Sequence, residues 1–129
     1  MSSESKPPGL QSRTVAEIDW VHWSAVDPAT LIFVIRGGEI LLIRKKRGLG
    51  AGKINGPGGR LEPGETPEAC AMRELEEELG VVAVDPIRLG DHRFQFMDGY
   101  STYVHVYRAS DLQGTPVETD EAIPMWINL

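Results

Sequence analysis

Three glutamates in the middle of the chain have a spacing that could bind a divalent cation. Glu74, Glu77 and Glu78 stand at positions i, i+3 and i+4, so on a helix their carboxylates gather on one side. Like charges at this spacing repel one another, and the adjacent Arg73 can neutralise only one of them. Mg²⁺ prefers carboxylate oxygens and would neutralise the rest. A charge run is also typical of a solvated helix face, so RELEEELG alone leaves both interpretations open.

The flanking residues predict the helix that would present these carboxylates. Thr66 is a suitable N-cap, Pro67 suits the first helical position, and Gly80 is a typical C-terminal stop. The side opposite the carboxylates is apolar, with Ala69 at its edge, and it carries Met72, Leu75 and Leu79. We therefore expect one side of the helix to pack on a core and the other to face a ligand.

The residues before the helix complete a longer pattern. Residues 59–81 fit G-x5-E-x7-R-E-U-x-E-E-x-G-U without a gap, where U is a bulky aliphatic residue. A match at every fixed position arises by chance on the order of 10⁻⁸ times per starting position. The fixed residues are Gly59, Glu65, Arg73, Glu74, Glu77, Glu78 and Gly80. This pattern is the Nudix box, so the chain resembles the Nudix hydrolases.

The resemblance implies roles for the box residues and for one acid beyond them. It implies Mg²⁺, with Mn²⁺ as a substitute, bound by the box glutamates and by the backbone carbonyl of Gly59. Glu65 would shape the site with Arg73, and Glu121 aligns with a further metal ligand or candidate base. The implied catalytic residues are Glu65, Arg73, Glu74, Glu77, Glu78 and Glu121. The implied metal ligands are Gly59, Glu74, Glu77, Glu78 and Glu121.

Two stretches outside the box point to a substrate. LLIRKKRGLGAGKINGPGG and VHVYRASDLQGTPVETDEAIPMWINL resemble the Nudix branch that hydrolyses oxidised purine nucleoside triphosphates, such as 8-oxo-dGTP. This likeness implies that Asn55 contacts the purine edge, that Lys45 lines the nucleotide pocket, and that Gly58 and Gly59 approach the substrate. From its chemistry alone, Asn55 before a glycine is also a typical turn residue. Residues 44–47 are either a solvated strand end or a cationic lip for phosphate oxygens.

The resemblance implies a reaction and leaves alternatives open. Water would attack phosphorus, with Glu77, Glu78 or Glu121 as the base, and a nucleoside triphosphate would give a nucleoside monophosphate and pyrophosphate. The substrate could instead be ADP-ribose, a dinucleoside polyphosphate or a capped RNA end. A Nudix domain can also be a catalytically silent ligand-binding module, but such modules have lost box carboxylates and this box is complete.

Length and composition limit the class of protein. The chain has 129 residues, 41% of them hydrophobic and 25% charged, which suits a single globular domain. A net charge of −6 argues against polymeric nucleic acid as a partner. No apolar run approaches the roughly 20 residues that span a bilayer. The single cysteine, Cys70, is expected to be a packing residue and fits a cytoplasmic location. We expect a monomer or homodimer that acts on a small nucleotide.

We expect residues 1–13 to form a disordered tail and residues 14–129 a single Nudix domain. The fold class is α+β: a mixed β-sheet sandwiched between helices (α/β/α), whose second helix would follow Leu129.

Apolar runs predict strands at 31–35 and 40–43 around a hairpin turn at 36–39, and alternation predicts one at 101–108. Further strands are predicted at 81–84, 87–89 and 125–127, with the break between the first two at 85–86. We expect residues 20–23, with His22, to form an edge strand or a cover over the core. We further expect a mobile loop at 48–59, a hairpin turn at 97–100 and a polar loop at 111–121.

Overall fold

The computed structural model describes residues 27–48, 51–95 and 101–129. The predicted tail, the segment 20–23 with His22, and the hairpin turn at 97–100 lie outside these residues. The described elements are β1 (Asp27–Arg36), β2 (Glu39–Lys45), β3 (Ile54–Asn55), β4 (Gly58–Arg60), α1 (Pro67–Leu79), β5 (Val82–Val84), β6 (Ile87–Gln95), β7 (Ser101–Ala109), β8 (Asp111–Gln113) and β9 (Ala122–Asn128). Within the same residues, no helix is long and apolar enough to cross a membrane.

The main sheet mixes parallel and antiparallel pairs. Its strand order is β3-β2-β1-β7-β6, with β4 also paired to β1 and β9 to β2. Only the β1–β7 pair among these is parallel, and it extends over eight positions from Asp27↔Thr102 to Val34↔Ala109. A second, two-stranded sheet consists of β5 and β8. The predicted mixed sheet of an α+β fold is confirmed, and a helix on the second face of the sheet stays a prediction.

The core lies between α1 and one face of the main sheet. Ile32 and Val34 of β1 and Leu41 of β2 are fully buried, as are Leu75 and Leu79 of α1. These side chains belong to one apolar cluster, against which Met72 packs while partly buried. Removing a side chain of this size from water stabilises the fold by roughly 1.5–3 kcal/mol. This packing fixes the position of α1 over β1.

The buried side of α1 differs from the predicted one. Ala69, expected at the edge of the apolar side, is exposed, whereas Cys70 and Ala71 are buried. Glu78 is 4% exposed and so does not share a solvent-facing side with Glu77, whose side chain is 54% exposed. The prediction that all three glutamates oppose the core is therefore wrong for Glu78. The helix is turned so that Ala71, Leu75 and Glu78, spaced i, i+4 and i+7, all face the protein.

Two segments predicted as loops contain short strands. In residues 48–59, β3 pairs with β2 through Ile43↔Asn55, and β4 pairs with β1 through Thr30↔Gly59. In residues 111–121, β8 pairs with β5 through Ala83↔Leu112. Their partners are distant in the chain, so tertiary pairing overrides the glycine-rich or polar composition that predicted loops. The break at residues 85–86 is confirmed, because β5 and β6 belong to different sheets.

Candidate active site

Both ends of α1 are fixed by the caps that the sequence predicts. Thr66 has an extended backbone, and its side chain accepts a hydrogen bond from the amide of Ala69 at 3.2 Å. Pro67 begins the helix, and Gly80 ends it in the left-handed conformation with φ of 72°. The amide of Gly80 donates to the carbonyl of Glu76 at 2.8 Å. These caps fix where the helix begins and ends, and so which turns of the helix carry the box carboxylates.

Glycine is required where β4 passes α1. A Cβ on Gly58 would lie 1.9 Å from the backbone oxygen of Thr30, and one on Gly59 would lie 2.5 Å from the carboxyl carbon of Glu74. The backbone of β4 therefore lies directly against Glu74 of α1 on one side and against β1 on the other. This close approach is the physical reason for the two glycines before the helix.

Glu78 is a buried carboxyl group that accepts a hydrogen bond from this glycine backbone. The amide of Gly58 donates to Glu78 Oε1 at 2.8 Å. Burial raises the pKa of Glu78 to about 8, although the Gly58 hydrogen bond opposes the rise. The charges of Glu74 and Glu121 raise this pKa further, and the charge of Lys45 lowers it. The site thus combines a poorly solvated carboxyl group with two acids and a lysine within electrostatic range.

Arg73 connects the other box acids. Its Nε and Nη2 donate to the two carboxylate oxygens of Glu65 at 2.8 and 3.0 Å. Its Nη1 donates to Glu74 at 2.8 Å and to Glu77 at 3.1 Å. A guanidinium group suits this arrangement because it presents several donors in one plane. The structure therefore brings four of the sequence-predicted residues into one charged network.

The members of this network differ in burial and in protonation. The Glu65 side chain is 13% exposed, that of Glu74 18% and that of Glu77 54%. Hydrogen bonds from Arg73, and then from the amide of Glu62, lower the pKa of Glu65 to about 2. Burial raises the pKa of Glu74, and Arg73 opposes that rise. Glu65 is thus ionised at neutral pH and holds Arg73, whereas burial favours the protonated form of Glu74.

Glu121 reaches the site from the segment before β9. Arg47 donates from Nη2 to Glu121 Oε1, and this contact lowers the pKa of Glu121. The charge of Glu121 in turn raises the pKa of both Glu74 and Glu78, so it acts on the buried end of the box. Lys46 donates to Glu118 at 2.8 Å. Two residues of the basic run at 44–47 therefore pair with acids of the 118–121 segment.

Asn55 lies on the exposed strand β3. Its Oδ1 accepts a hydrogen bond from the following amide, that of Gly56, at 2.8 Å. In register it stands opposite Ile43 of β2. These contacts correspond to the turn role that its chemistry indicates, and its contact with a purine stays a prediction.

The donor atoms at the site suit a hard divalent cation. They are the carboxylates of Glu74, Glu77 and Glu78 and the carbonyl of Gly59, all of them oxygens. Among the described residues, no three His, Cys, Asp or Glu side chains are already grouped as a metal-binding set. Arg73 holds two of the carboxylates and the Gly58 amide holds the third. These oxygen ligands therefore fit Mg²⁺. Glu74 and Glu77 would bind it in exchange for their hydrogen bonds with Arg73 Nη1.

Sequence reasoning missed two side chains around the site, those of Thr119 and Thr30. Thr119 donates from Oγ1 to the carbonyl of Glu78 at 2.6 Å, across 41 positions of the chain. Thr30 is buried with its Oγ1 3.3 Å from Cys70 Sγ, and that sulfur lies 3.6 Å from the carbonyl of Gly59. Cys70 is buried, which confirms its prediction as a packing residue. No local pattern marks the two threonines, because their contacts join distant segments.

Comparison with known proteins identifies relatives of this chain. A sequence model of the NUDIX domain matches residues 25–129. Two proteins named oxidized purine nucleoside triphosphate hydrolase are similar to it: the Danio rerio protein is 43% identical over 101 residues and the Mus musculus protein 42% identical over 102. Each alignment covers 78% of this chain, and the chain spans 65% of each relative's length. A NAD-capped RNA hydrolase NudC of Stutzerimonas stutzeri is 30% identical over 102 residues, which cover 78% of this chain and 37% of that protein.

Solved structures share the fold. The MutT NUDIX hydrolase from Burkholderia pseudomallei superposes with a TM-score of 0.72 at 31% identity, covering 79% of this chain and 82% of that one. The Escherichia coli ORF135 protein superposes with a TM-score of 0.64 at 25% identity, covering 79% and 73%. The mixed sheet and the helix above β4 thus have counterparts in solved proteins.

Proposed function

Since this chain belongs to the Nudix family, we propose that it is a metal-dependent pyrophosphohydrolase for purine nucleoside triphosphates, with an oxidised purine as the preferred base. The products would be a nucleoside monophosphate and pyrophosphate. One observation carries the proposal: within a complete Nudix box, Glu74 and Glu78 lie against the glycine backbone of β4, where the Gly58 amide donates to Glu78. A ligand-binding module would not need every box carboxylate.

The residues of the chain would divide the work as follows. Glu74, Glu77, Glu78 and the carbonyl of Gly59 would hold Mg²⁺ or Mn²⁺. When bound, the metal supplies Lewis-acid stabilisation of phosphate charge and lowers the pKa of a water molecule. Glu65 accepts two hydrogen bonds from Arg73. It would keep the guanidinium group beside the site when Glu74 and Glu77 bind the metal instead of Arg73 Nη1.

Glu121 is one candidate acceptor for the proton of the attacking water. Its carboxylate is ionised at neutral pH, and its pairing with Arg47, which lowers its pKa, would have to loosen for it to act as a base. Without metal, Glu78 is largely protonated at the same pH, because its pKa is raised to about 8. Glu77, more than half exposed, is the other candidate base.

Base selection is proposed from position and from the relatives. The two relatives of highest identity described above carry the name oxidized purine nucleoside triphosphate hydrolase. Asn55 on β3 offers an amide donor and acceptor beside β2, the strand that carries Lys45. The charge of Lys45 reaches Glu78 and Glu121. A purine edge at Asn55 would therefore place its phosphates toward the carboxylates of α1.

The test of the chemistry compares two neighbouring glutamates on α1. Pyrophosphate and monophosphate release with Mg²⁺ is measured for 8-oxo-dGTP, dGTP, ADP-ribose, a diadenosine polyphosphate and NAD-capped RNA. We expect Glu77→Gln to lower kcat on the best substrate at least a hundredfold, and the exposed neighbour variant Glu76→Gln to keep wild-type kcat. Equal activity of the two variants, or no turnover by a folded wild type, contradicts the proposal.

The substrate is tested with a second pair of variants. Asn55→Ala should reduce the preference for 8-oxo-dGTP over dGTP about tenfold in kcat/KM. The alanine side chain cannot form the hydrogen bonds that the Asn55 amide would make with the purine edge. Lys53→Ala, a change at an exposed residue two positions earlier, should leave the ratio unchanged. Turnover of ADP-ribose or NAD-capped RNA alone would keep the metal chemistry and reject the proposed substrate.

A further inference from the structure

The C-terminal end of α1 is capped by a distant segment. The last carbonyls of a helix have no intrahelical partner, and α1 has no basic residue in its last turn. Instead, the amide of Val117 donates to the carbonyl of Leu79 at 3.0 Å, and Thr119 Oγ1 donates to the carbonyl of Glu78 at 2.6 Å. The residues just before β9 are thus bound directly to the end of the helix that carries the box.

The hydroxyl of Thr119 also holds Glu121. It accepts a hydrogen bond from the amide of Glu121 at 3.2 Å. On the other side, the carbonyl of Glu121 accepts from the amide of Lys46 at 3.0 Å. The backbone of Glu121 is therefore fixed at both its amide and its carbonyl. One hydroxyl group, that of Thr119, links this backbone to Glu78 through two hydrogen bonds.

We infer that Thr119 is a positioning residue, whose hydroxyl fixes Glu121 relative to Glu78 and so holds the Glu121 carboxylate at the box. The inference rests on the proposed function, since it assigns Glu121 a part in the same reaction. The contact joins the two parts of the site at one residue, because Glu78 supplies both a buried carboxyl group and the carbonyl that Thr119 binds.

Removal of this one hydroxyl group tests the inference. Thr119→Val keeps the shape of the side chain and deletes both hydrogen bonds, Thr119→Ser keeps the hydroxyl, and Thr115→Val removes the hydroxyl of an exposed threonine in the same segment. At saturating Mg²⁺, we expect Thr119→Val to lower kcat about tenfold, the rate equivalent of roughly one hydrogen bond. KM should change less than about twofold, and the other two variants should stay near wild type.

A simple helix cap would behave differently from a positioning residue. A residue that acts through Glu121 should have no further effect on kcat once Glu121→Gln is present, so the two changes should not be additive. In the metal-free protein, amide hydrogen exchange at Glu121 should rise about tenfold in Thr119→Val and stay unchanged in Thr119→Ser. A cap alone would lower the melting temperature without this kcat loss.

The outcomes separate the inference from the proposed function. An active wild type with equal kcat in Thr119→Val, or additive losses with Glu121→Gln, overturns the inference alone. A folded wild type that hydrolyses none of the compounds overturns the proposed function and the inference together. Loss of kcat restored by serine and absent in the Glu121→Gln background supports both.

Discussion

Replacing Glu78 by Gln should remove much of the pH dependence of stability in the metal-free protein. Burial raises the pKa of Glu78 from 4.5 to about 8 in the folded state, whereas the unfolded chain keeps a pKa near the ordinary value. Between these two values the folded protein binds more protons than the unfolded chain. The free energy of unfolding contributed by Glu78 is therefore fully present below about pH 4.5 and is lost as the pH rises through about 8.

The size of the effect follows from the pKa difference. The rise from 4.5 to about 8 is about 3.5, and one pKa unit corresponds to about 1.4 kcal/mol. Ionised Glu78 thus destabilises the fold by at most about 5 kcal/mol, and roughly half of this develops between pH 5 and pH 7. Gln keeps the shape and can accept the Gly58 hydrogen bond, but it cannot ionise.

The assay is urea unfolding with a chelator present, followed by tryptophan fluorescence at several pH values from 5 to 8. The free energy of unfolding of Glu78→Gln should exceed that of wild type by an amount that grows by roughly 2–3 kcal/mol between pH 5 and pH 7. Glu76→Gln, at an exposed position of the same helix, should differ from wild type by a small and nearly constant amount. A pH-independent difference between Glu78→Gln and wild type would refute the reasoning, because it would mean that Glu78 is ionised in the fold throughout this range.

Added Mg²⁺ extends the same experiment to the proposed metal site. A divalent cation gives ionised Glu78 a partner, so the wild-type stability should fall less steeply with pH when Mg²⁺ is present. The stability of Glu78→Gln should respond much less to Mg²⁺. An equal response of both proteins would remove Glu78 from the proposed ligands while leaving the burial argument intact.

Two further predictions concern β4 and the Arg73 network. Gly59→Ala should weaken Mn²⁺ binding about tenfold by displacing Glu74, and Gly58→Ala should destabilise the fold by roughly 2 kcal/mol because its Cβ meets the backbone of β1. The control is Gly90→Ala, whose Cβ meets nothing within 4 Å and which should change neither metal binding nor stability. Metal titration and urea unfolding measure the two effects, and equal effects of the three changes would reject the prediction. Glu65 has a folded pKa of about 2 against 4.5, so its contribution to stability is present above pH 4.5 and is lost as the pH falls through 2. Acid unfolding of Glu65→Gln should therefore show a shallower loss than wild type in that range, whereas Glu62→Gln, with a 65% exposed side chain, should follow wild type.

The sequence predicted the helix well because its signals are local. The Thr66 cap, the Pro67 start and the Gly80 stop each act within a few residues, so their chemistry can be read without a partner. The hairpin turn before β2 is equally local, and the observed register pairs Arg36 with Glu39. Spacing also placed Arg73 beside the box glutamates, where it was expected to neutralise one charge; in the structure it donates to both Glu74 and Glu77.

Elements that depend on distant partners could not be predicted. The strands β3, β4 and β8 have two or three residues each, and their sequences have the composition of loops. They are strands because β1, β2 and β5 offer hydrogen-bonding edges, which no local pattern reveals. The pairing of Arg47 with Glu121 spans 74 positions, so sequence left the basic run open between a solvated strand end and a phosphate-binding lip.

The burial of Glu78 shows that glycine, which has no side chain, can determine where a charged side chain lies. Apolar periodicity alone placed the core side of α1 around Met72, Leu75 and Leu79, which would leave Glu78 in solvent. Because β4 carries glycines where it passes the helix, its backbone approaches closely enough for the Gly58 amide to bind the Glu78 carboxylate. The helix therefore turns Glu78 inward, and the same residue offers its carbonyl to Thr119. A substitution at either contact should thus be felt at the other, since both act on the orientation of one helical turn.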